Sequence, residues 1–179
     1  MALTLVHGPR RSGKSRVAEA LAAASAAEVL VLAPLTVTDD EMAARVAAHR
    51  AARPAGWTTV ECAEVVDAVR AAPAGATILL DSLGTWVGEI LWRAGALEGA
   101  AGSGGVAATL RADARALARA AAGRDGHTIV VVEEAGWGPV PPSGATRLWL
   151  DALGDAAQAL SAAADRALLV VGGRTLELP

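Results

Sequence analysis

Short apolar runs recur along the chain and alternate with longer, alanine-rich segments. The runs are rich in leucine and β-branched residues and are bounded by glycine, aspartate or proline, which is typical of strands buried on both faces of a sheet. We predict strands at 3–7, 28–33, 76–81, 128–133 and 167–173. The segments between them are long enough for helices, which we predict at 14–27, 39–52, 106–122 and 145–163.

The alternation of strands and helices predicts an α/β fold with a mostly parallel central sheet and helices on both faces. No internal repeat or linker divides the sequence, so we expect a single domain over residues 1–179. The one low-complexity stretch is GALEGAAGSGG at 95–105, where we predict a mobile surface loop.

Composition narrows the class of protein. A hydrophobic fraction of 53% with 20% charged residues is typical of a globular protein. The formal net charge of -3 carries no basic surplus, which argues against nucleic acid or an anionic membrane as partner. The single cysteine, Cys62, excludes an internal disulfide and fits a half-buried residue in a reducing compartment. No apolar run approaches the roughly 18 residues of a membrane span, so we expect a soluble, cytoplasmic protein.

A phosphate-binding motif follows the first predicted strand. The segment GPRRSGKS, Gly8 to Ser15, fits G-x-x-x-x-G-K-[ST] and opens the first predicted helix, a context that disfavours a chance glycine-rich turn. Backbone N–H groups at such a helix N-terminus bind phosphate, Lys14 reaches the β and γ phosphates, and Ser15 takes a magnesium position. Pro9 has no N–H to donate, a loss that the side chains of Arg10 and Arg11 can offset.

Acidic residues end two of the predicted strands. Asp81 ends ATILLD and could hold Mg²⁺ directly or through water, or could simply cap the next helix. Glu133 and Glu134 end TIVVVEE, at the edge where open α/β sheets bind ligands. Because adjacent residues of an extended chain point in opposite directions, at most one of the two should face the site.

The segment around His49 has the pattern of a helix with a cationic face. Thr38 and Glu41 fit a capping box, and a proline after Arg53 favours the end of the helix there. Arg45, His49 and Arg53 are then spaced i, i+4, i+8 on one face. The two cations disfavour the imidazolium form of His49, and a neutral imidazole is the form that attacks phosphorus. The alternative is an ordinary surface histidine on a solvated helix.

Four segments resemble, in order and in separation, motifs of the adenosylcobinamide kinase/adenosylcobinamide-phosphate guanylyltransferase family of cobalamin biosynthesis. They are GPRRSGKS, DDEMAARVAAHRAARPAGWTTVE, LLDSLGTWV and EAGWGPVP. The resemblance implies a P-loop NTPase-like enzyme that phosphorylates adenosylcobinamide with ATP or GTP. The enzyme then transfers GMP from GTP through a guanylyl-histidine to give adenosylcobinamide-GDP. It further implies a homo-oligomer, with a trimer favoured. Mg²⁺ is the cofactor that the phosphate loop and Asp81 predict.

The family pattern also implies the site residues. His49 matches the histidine that carries GMP, and Lys14 acts with it in catalysis. The positions that match the family's nucleotide contacts are Gly8, Pro9, Arg10, Arg11, Ser12, Gly13, Lys14, Ser15, Ala33, Pro34, Leu35, Arg50, Ala51, Ala52, Arg53, Glu61 and Leu83.

Several positions depart from the family pattern. They are His7 and Pro9 at the phosphate loop, Pro34 after the second strand, and Glu133, Pro142, Ser143, Asp155 and Ala157 in the late half. These changes leave open a P-loop small-molecule kinase that lacks the guanylyl step, and a non-catalytic GTP-binding module. For Glu61 the residues leave open a ribose contact or the start of a helix, and for Trp57 they favour packing over base stacking. His7 and His127 have no partner at metal-ligand spacing.

Overall fold

The computed structural model describes residues 2–25, 27–35, 43–44, 47, 50–51, 53–98 and 103–179, with residues 103 and 104 described by their backbone only. The strands are β1 Ala2–Gly8, β2 Val29–Ala33, β3 Thr58–Glu61, β4 Thr77–Leu80, β5 His127–Glu133, β6 Arg166–Val171 and β7 Arg174–Leu178. The helices for which both ends are described are α1 Lys14–Ala24, α2 Val65–Ala71, α3 Leu83–Arg93, α4 Ser103–Gly123 and α5 Gly144–Ser161.

The strands of the described residues form one sheet in the order β3-β2-β4-β5-β1-β6-β7. Every neighbouring pair is parallel except the hairpin of β6 and β7, which confirms the predicted mostly parallel sheet. All five predicted strands are present with small shifts in their bounds. In a parallel sheet the ends of the strands lie along a common edge, here called the carboxyl edge, and β1 to β5 all end there.

Helices cover both faces of the sheet, as predicted. On one face, α1 contributes Ala18 and Ala22 to a core with Val6 and Val131. On the other face, α2 to α5 pack against Leu3, Leu5, Val130 and Val132, with Trp86, Leu117 and Leu153 fully or almost fully buried. Trp57 packs against the first of these cores, which agrees with the packing role favoured above.

Three of the four predicted helices are present with shifted ends, and the one predicted at 145–163 spans Gly144–Ser161. The helix predicted at 14–27 ends at Ala24. The helix predicted at 106–122 begins at Ser103, so the loop predicted at 95–105 is wrong for its last three residues, while 99–102 lie outside the described residues. The helix predicted at 39–52 lies mostly outside them too, together with its capping box. Its described residues, Ala43, Ala44, Ala47, Arg50 and Ala51, are helical.

Two further properties follow from the fold. No helix among the described residues is both long enough and apolar enough to cross a membrane. Cys62 is half-buried, as predicted, and its burial, together with the nearby charge of Glu64, raises the pKa of its thiol. A thiol with a raised pKa holds little thiolate at neutral pH and is therefore a poor nucleophile.

Candidate active site

The phosphate loop connects β1 to α1 through a tight turn. Arg11 and Gly13 have positive φ of 59° and 96°, and the Ser12 N–H donates to the Pro9 carbonyl over 3.2 Å. Gly8 must be glycine here, because a Cβ at this position would lie 2.7 Å from the Val170 carbonyl oxygen. Lys14 and Ser15 are the first two residues of α1, so the loop delivers both to the helix N-terminus.

A glycine turn between β6 and β7 supports the phosphate loop. The Gly173 N–H donates to the Ser12 carbonyl over 2.8 Å. A Cβ on Gly13 would already lie 3.5 Å from the Gly173 Cα, so the two backbones are in close contact. The sequence signal is the pair Gly172-Gly173, which the strand predicted at 167–173 includes, whereas β6 ends at Val171 and the two glycines form the turn. In the sheet, β6 lies on one side of β1 and β5, β4, β2 and β3 lie on the other. The turn after β6 therefore holds the phosphate loop from the side opposite the ends of those four strands.

A second cluster of predicted residues gathers where β2, β3 and β4 end. Ala33 pairs with Glu61 across β2 and β3, and Ala33 and Pro34 are buried at this edge. Glu61 ends β3, so its alternative role as the start of a helix is excluded. Its carboxylate accepts from Arg50 over 3.3 Å. Arg50, Glu61 and the end of β2, including Leu35, are therefore brought together.

Arg53 links this cluster to the phosphate-loop helix. Its guanidinium donates to the Asp81 carboxylate over 2.9 Å and to the Thr59 hydroxyl over 3.4 Å. The Arg53 Nε atom lies 3.7 Å from Glu19, an ion-pair distance rather than a hydrogen bond. Glu19 is on α1, four residues after Ser15, and hence one turn below the phosphate loop. One chain of ion pairs thus joins the ends of these strands to the phosphate-loop helix.

Truncating Arg53 is expected to destabilise the fold more than truncating its exposed neighbour. The Arg53 side chain is 5% exposed and Asp81 15%, so Arg53→Ala leaves a buried carboxylate without its cation, at a cost of about 3 kcal/mol. Arg50 and Glu61 are 57% and 40% exposed, and Arg50→Ala should cost at most about 1 kcal/mol. Urea unfolding of both variants measures the difference. Equal losses would contradict a structural role for the Arg53 pair.

The two adjacent glutamates at the end of β5 form hydrogen bonds with different elements. Glu133 accepts hydrogen bonds from the Ser82 hydroxyl and, over 2.8 Å, from the Gly84 N–H, and so holds the start of α3. Glu134 bonds the His7 Nδ1 atom over 2.8 Å, and its N–H donates to the Gly8 carbonyl over 3.0 Å. Sequence reasoning did not assign His7 a partner, because the two residues are separated by most of the chain.

The remaining predicted residues fall into two groups. Leu83 is fully buried in the core, so its side chain is not available to a nucleotide and only its backbone could contact one. Ala51 is exposed and helical, whereas His49, Arg45 and Ala52 lie outside the described residues.

The histidines that were judged poor metal ligands have other contacts. His127 shares a hydrogen bond of 2.9 Å with the Thr4 hydroxyl, and burial is the main cause that lowers its pKa. His7 bonds Glu134. Within the described ranges, no group of three or more histidine, cysteine, aspartate or glutamate side chains could hold a metal ion.

A parallel sheet, a strand–loop–helix phosphate motif and acids at the carboxyl edge define a P-loop α/β nucleotide-binding protein. The solved structure of an ATPase from the type III secretion system of pathogenic bacteria has this fold. Its TM-score is 0.59 at 14% identity, over 94% of this chain and 50% of the ATPase, which supports the fold alone.

Comparison with known families is more specific. The family model for cobinamide kinase / cobinamide phosphate guanyltransferase matches residues 4–178. The bifunctional adenosylcobalamin biosynthesis protein CobU of Salmonella typhimurium is 38% identical over 96% of both chains. Its counterpart CobP of Pseudomonas aeruginosa is 34% identical over 97% of this chain and 95% of the relative. The chain belongs to the cobinamide kinase / cobinamide phosphate guanyltransferase family and is accordingly a nucleotide-dependent transferase.

Proposed function

We propose that this protein phosphorylates adenosylcobinamide with ATP or GTP and then transfers GMP from GTP to the product, giving adenosylcobinamide-GDP. The observation that carries the proposal is membership of the family over nearly the whole chain, because the match includes every segment of the candidate site. ATP and GTP are cytoplasmic metabolites, so we assign the enzyme to the cytoplasm. We expect it to assemble as a homo-oligomer, with a trimer favoured by the family resemblance.

In the kinase step, the phosphate loop holds the nucleotide. Backbone N–H groups of the turn and the N-terminus of α1 bind the phosphates, and Lys14 neutralises charge on the β and γ positions. The Ser15 hydroxyl and the Asp81 carboxylate supply the hard oxygen ligands that suit Mg²⁺. Arg53 occupies only the Oδ2 atom of Asp81. When bound, Mg²⁺ would neutralise the charge on the phosphates.

In the guanylyl step, His49 is the proposed nucleophile. Its imidazole attacks the α-phosphorus of GTP, the bond to the β-phosphate oxygen breaks, and pyrophosphate leaves. The cobinamide phosphate then displaces the histidine from the guanylyl group. Arg50 follows His49 directly and its side chain is 57% exposed, so its cation can stabilise charge on the α-phosphate oxygens. Arg53 lies at a bend after the helical residues, where its cation pairs with Asp81.

The acceptor needs an apolar surface beside the phosphate loop, and the segment after Glu134 offers one. Residues 135–142, here called the acceptor loop, expose Trp137 and Val140 by 66% and 81%. Arg147 fixes the end of this loop by donating to the carbonyls of Pro141 and Pro142 over 2.7 and 2.8 Å. A cavity of about 260 Å³ lies between the loop and α5. We assign the corrin ring of the acceptor to this side of the site.

The proposed function is tested with the native protein. Incubation with adenosylcobinamide, ATP and GTP should yield adenosylcobinamide-phosphate and adenosylcobinamide-GDP by mass spectrometry. Incubation with GTP labelled at the α-phosphate should leave label on the protein, in an acid-labile and base-stable bond typical of a phosphoramidate. Phosphorylation without adduct or guanylylated product would favour the simple kinase. Binding of GTP with neither product would favour the nucleotide-binding module.

A further inference from the structure

The two proposed reactions differ in their need for a base. In the kinase step the nucleophile is an alcohol, which must lose its proton as the new P–O bond forms. In the guanylyl step the acceptor is a phosphate monoester, whose second pKa is about 6, so its oxygen is already ionised at neutral pH. A general base is therefore needed for the first reaction only, and a carboxylate is one of the side chains that can serve. The residue that fills this role should separate the two activities when it is changed.

Three of the acids along the carboxyl edge are placed to be this base, and two of them have other partners. Asp81 is paired with the Arg53 cation at 2.9 Å, and its other oxygen is the one proposed above to bind Mg²⁺. Glu133 uses both carboxylate oxygens, one on the Ser82 hydroxyl and one on the Gly84 N–H. Glu134 uses only Oε1, on His7, and its Oε2 has no hydrogen-bond partner within the part of the chain that the structure describes. Its side chain is 26% exposed, so the free oxygen is accessible to a bound molecule.

The position of Glu134 joins the phosphate loop to the acceptor loop. It is the first residue after β5, and its N–H is bonded to Gly8, the first residue of the phosphate motif. Leu5 and Val132 face the core beneath α2 to α5, and His7 and Glu134 lie two residues further along the same strands. Strand alternation therefore puts the pair on the face that also carries α5 and the acceptor loop.

We propose that Glu134 is the general base of the kinase step and that His7 is its positioning residue. This assignment rests on the proposed function. The Glu134 carboxylate takes the proton of the acceptor hydroxyl as that oxygen bonds to the γ-phosphorus. The bond from the γ-phosphorus to the β-phosphate oxygen breaks, and the nucleoside diphosphate leaves with the electron pair. Glu134 then releases the proton to water.

His7 is well suited to hold the carboxylate in place. It is buried, with 7% of its surface exposed, and its Nε2 atom has no hydrogen-bond partner among the described residues. An unpaired lone pair costs less to bury than an unpaired N–H, so the tautomer with hydrogen on Nδ1 is favoured. That tautomer donates to Glu134 Oε1 and leaves the other oxygen for the acceptor.

The test is Glu134→Gln, which keeps the shape of the side chain and an acceptor for His7 but cannot take a proton. We expect the kcat of cobinamide phosphorylation to fall about 100-fold at saturating substrates, with little change in KM. Starting from adenosylcobinamide-phosphate and GTP, the same variant should make adenosylcobinamide-GDP at the native rate. Retention of the native kinase kcat within about threefold would overturn the assignment. Equal loss of both reactions would also overturn it, since that result indicates a role in holding the loop.

Matched variants distinguish the loss of the base from the effects of changing the residues around it. Glu133→Gln alters the acid beside it, and it should affect both reactions alike because Glu133 holds the start of α3. His7→Leu removes the donor to Glu134 and should lower the kinase kcat about tenfold without changing the guanylyl step, whereas His7→Gln should restore the kinase. A native protein that performs neither reaction overturns the proposed function and this assignment with it. Normal catalysis by Glu134→Gln overturns this assignment alone.

Discussion

Replacing His49 with alanine is expected to abolish the transfer of GMP while phosphorylation of adenosylcobinamide continues. Alanine has no atom that can bond to the α-phosphorus, so neither the labelled protein adduct nor adenosylcobinamide-GDP should form. Loss of a nucleophile typically lowers the rate by far more than about 10³-fold, which places the residual activity below detection. The kinase step should stay within a few-fold of native, because it needs the phosphate loop and not the histidine.

The measurement is a labelled-GTP adduct assay run beside a kinase assay on the same preparation. The chain has three histidines, and His127→Gln is the matched control, because this residue bonds Thr4 at the amino end of β5, away from the carboxyl edge. That variant should carry the native amount of label. A full adduct on His49→Ala would assign the guanylyl group to another residue and would remove the main distinction between this enzyme and a simple kinase.

The strands that could be predicted from the sequence are those with partners on both sides. β1, β4 and β5 are continuous apolar runs because both faces of each strand are buried. β3 and β7 are the edge strands. β3 is only partly buried and β7 is exposed throughout, so neither has the continuous apolar signal. The helices α2 and α3 were also not predicted. The short α2 holds too little of a periodic pattern, and α3 is apolar on most of its surface because it is largely buried.

The candidate site likewise contains features that could be predicted from the sequence and contacts that could not. The phosphate loop could be predicted because its chemistry is local, with Gly8, Lys14 and Ser15 within eight consecutive residues. The ion pairs of Arg53 with Asp81 and Glu19 could not be predicted, since they join three elements that are distant in sequence. The contact of His7 with Glu134 could not be predicted for the same reason.

The structure shows the contacts of four residues that depart from the family pattern. His7 holds the Glu134 carboxylate. Ser143 caps α5 by accepting from the Thr146 N–H, and Asp155 pairs with Arg111 over 2.8 Å. Ala157 packs at the edge of the larger core. These residues have structural partners in this chain, so the departures do not by themselves argue for a lost acceptor site.

Lys14→Ala is expected to lower both reactions by about 10² to 10³-fold, because a single phosphate loop should serve the two nucleotides in turn. Lys14 is the only lysine in the chain, since every other basic residue that makes up the total of 16 is arginine. Lysine-directed modification of the native protein therefore reports on this one side chain and on the chain's N-terminal amine. We expect ATP and GTP to protect Lys14 from such modification to the same extent.

Arg10→Ala is the matched control, since it removes a cation from the same loop without removing the residue that contacts the β and γ phosphates. It should reduce each rate less than tenfold. If Lys14→Ala lost the kinase step but still formed the guanylyl adduct at the native rate, GTP would have to bind elsewhere for GMP transfer, and the single-loop mechanism would be wrong. Equal loss of both steps, with GTP protecting Lys14, instead requires the nucleoside diphosphate to leave the loop before GTP enters for the second reaction.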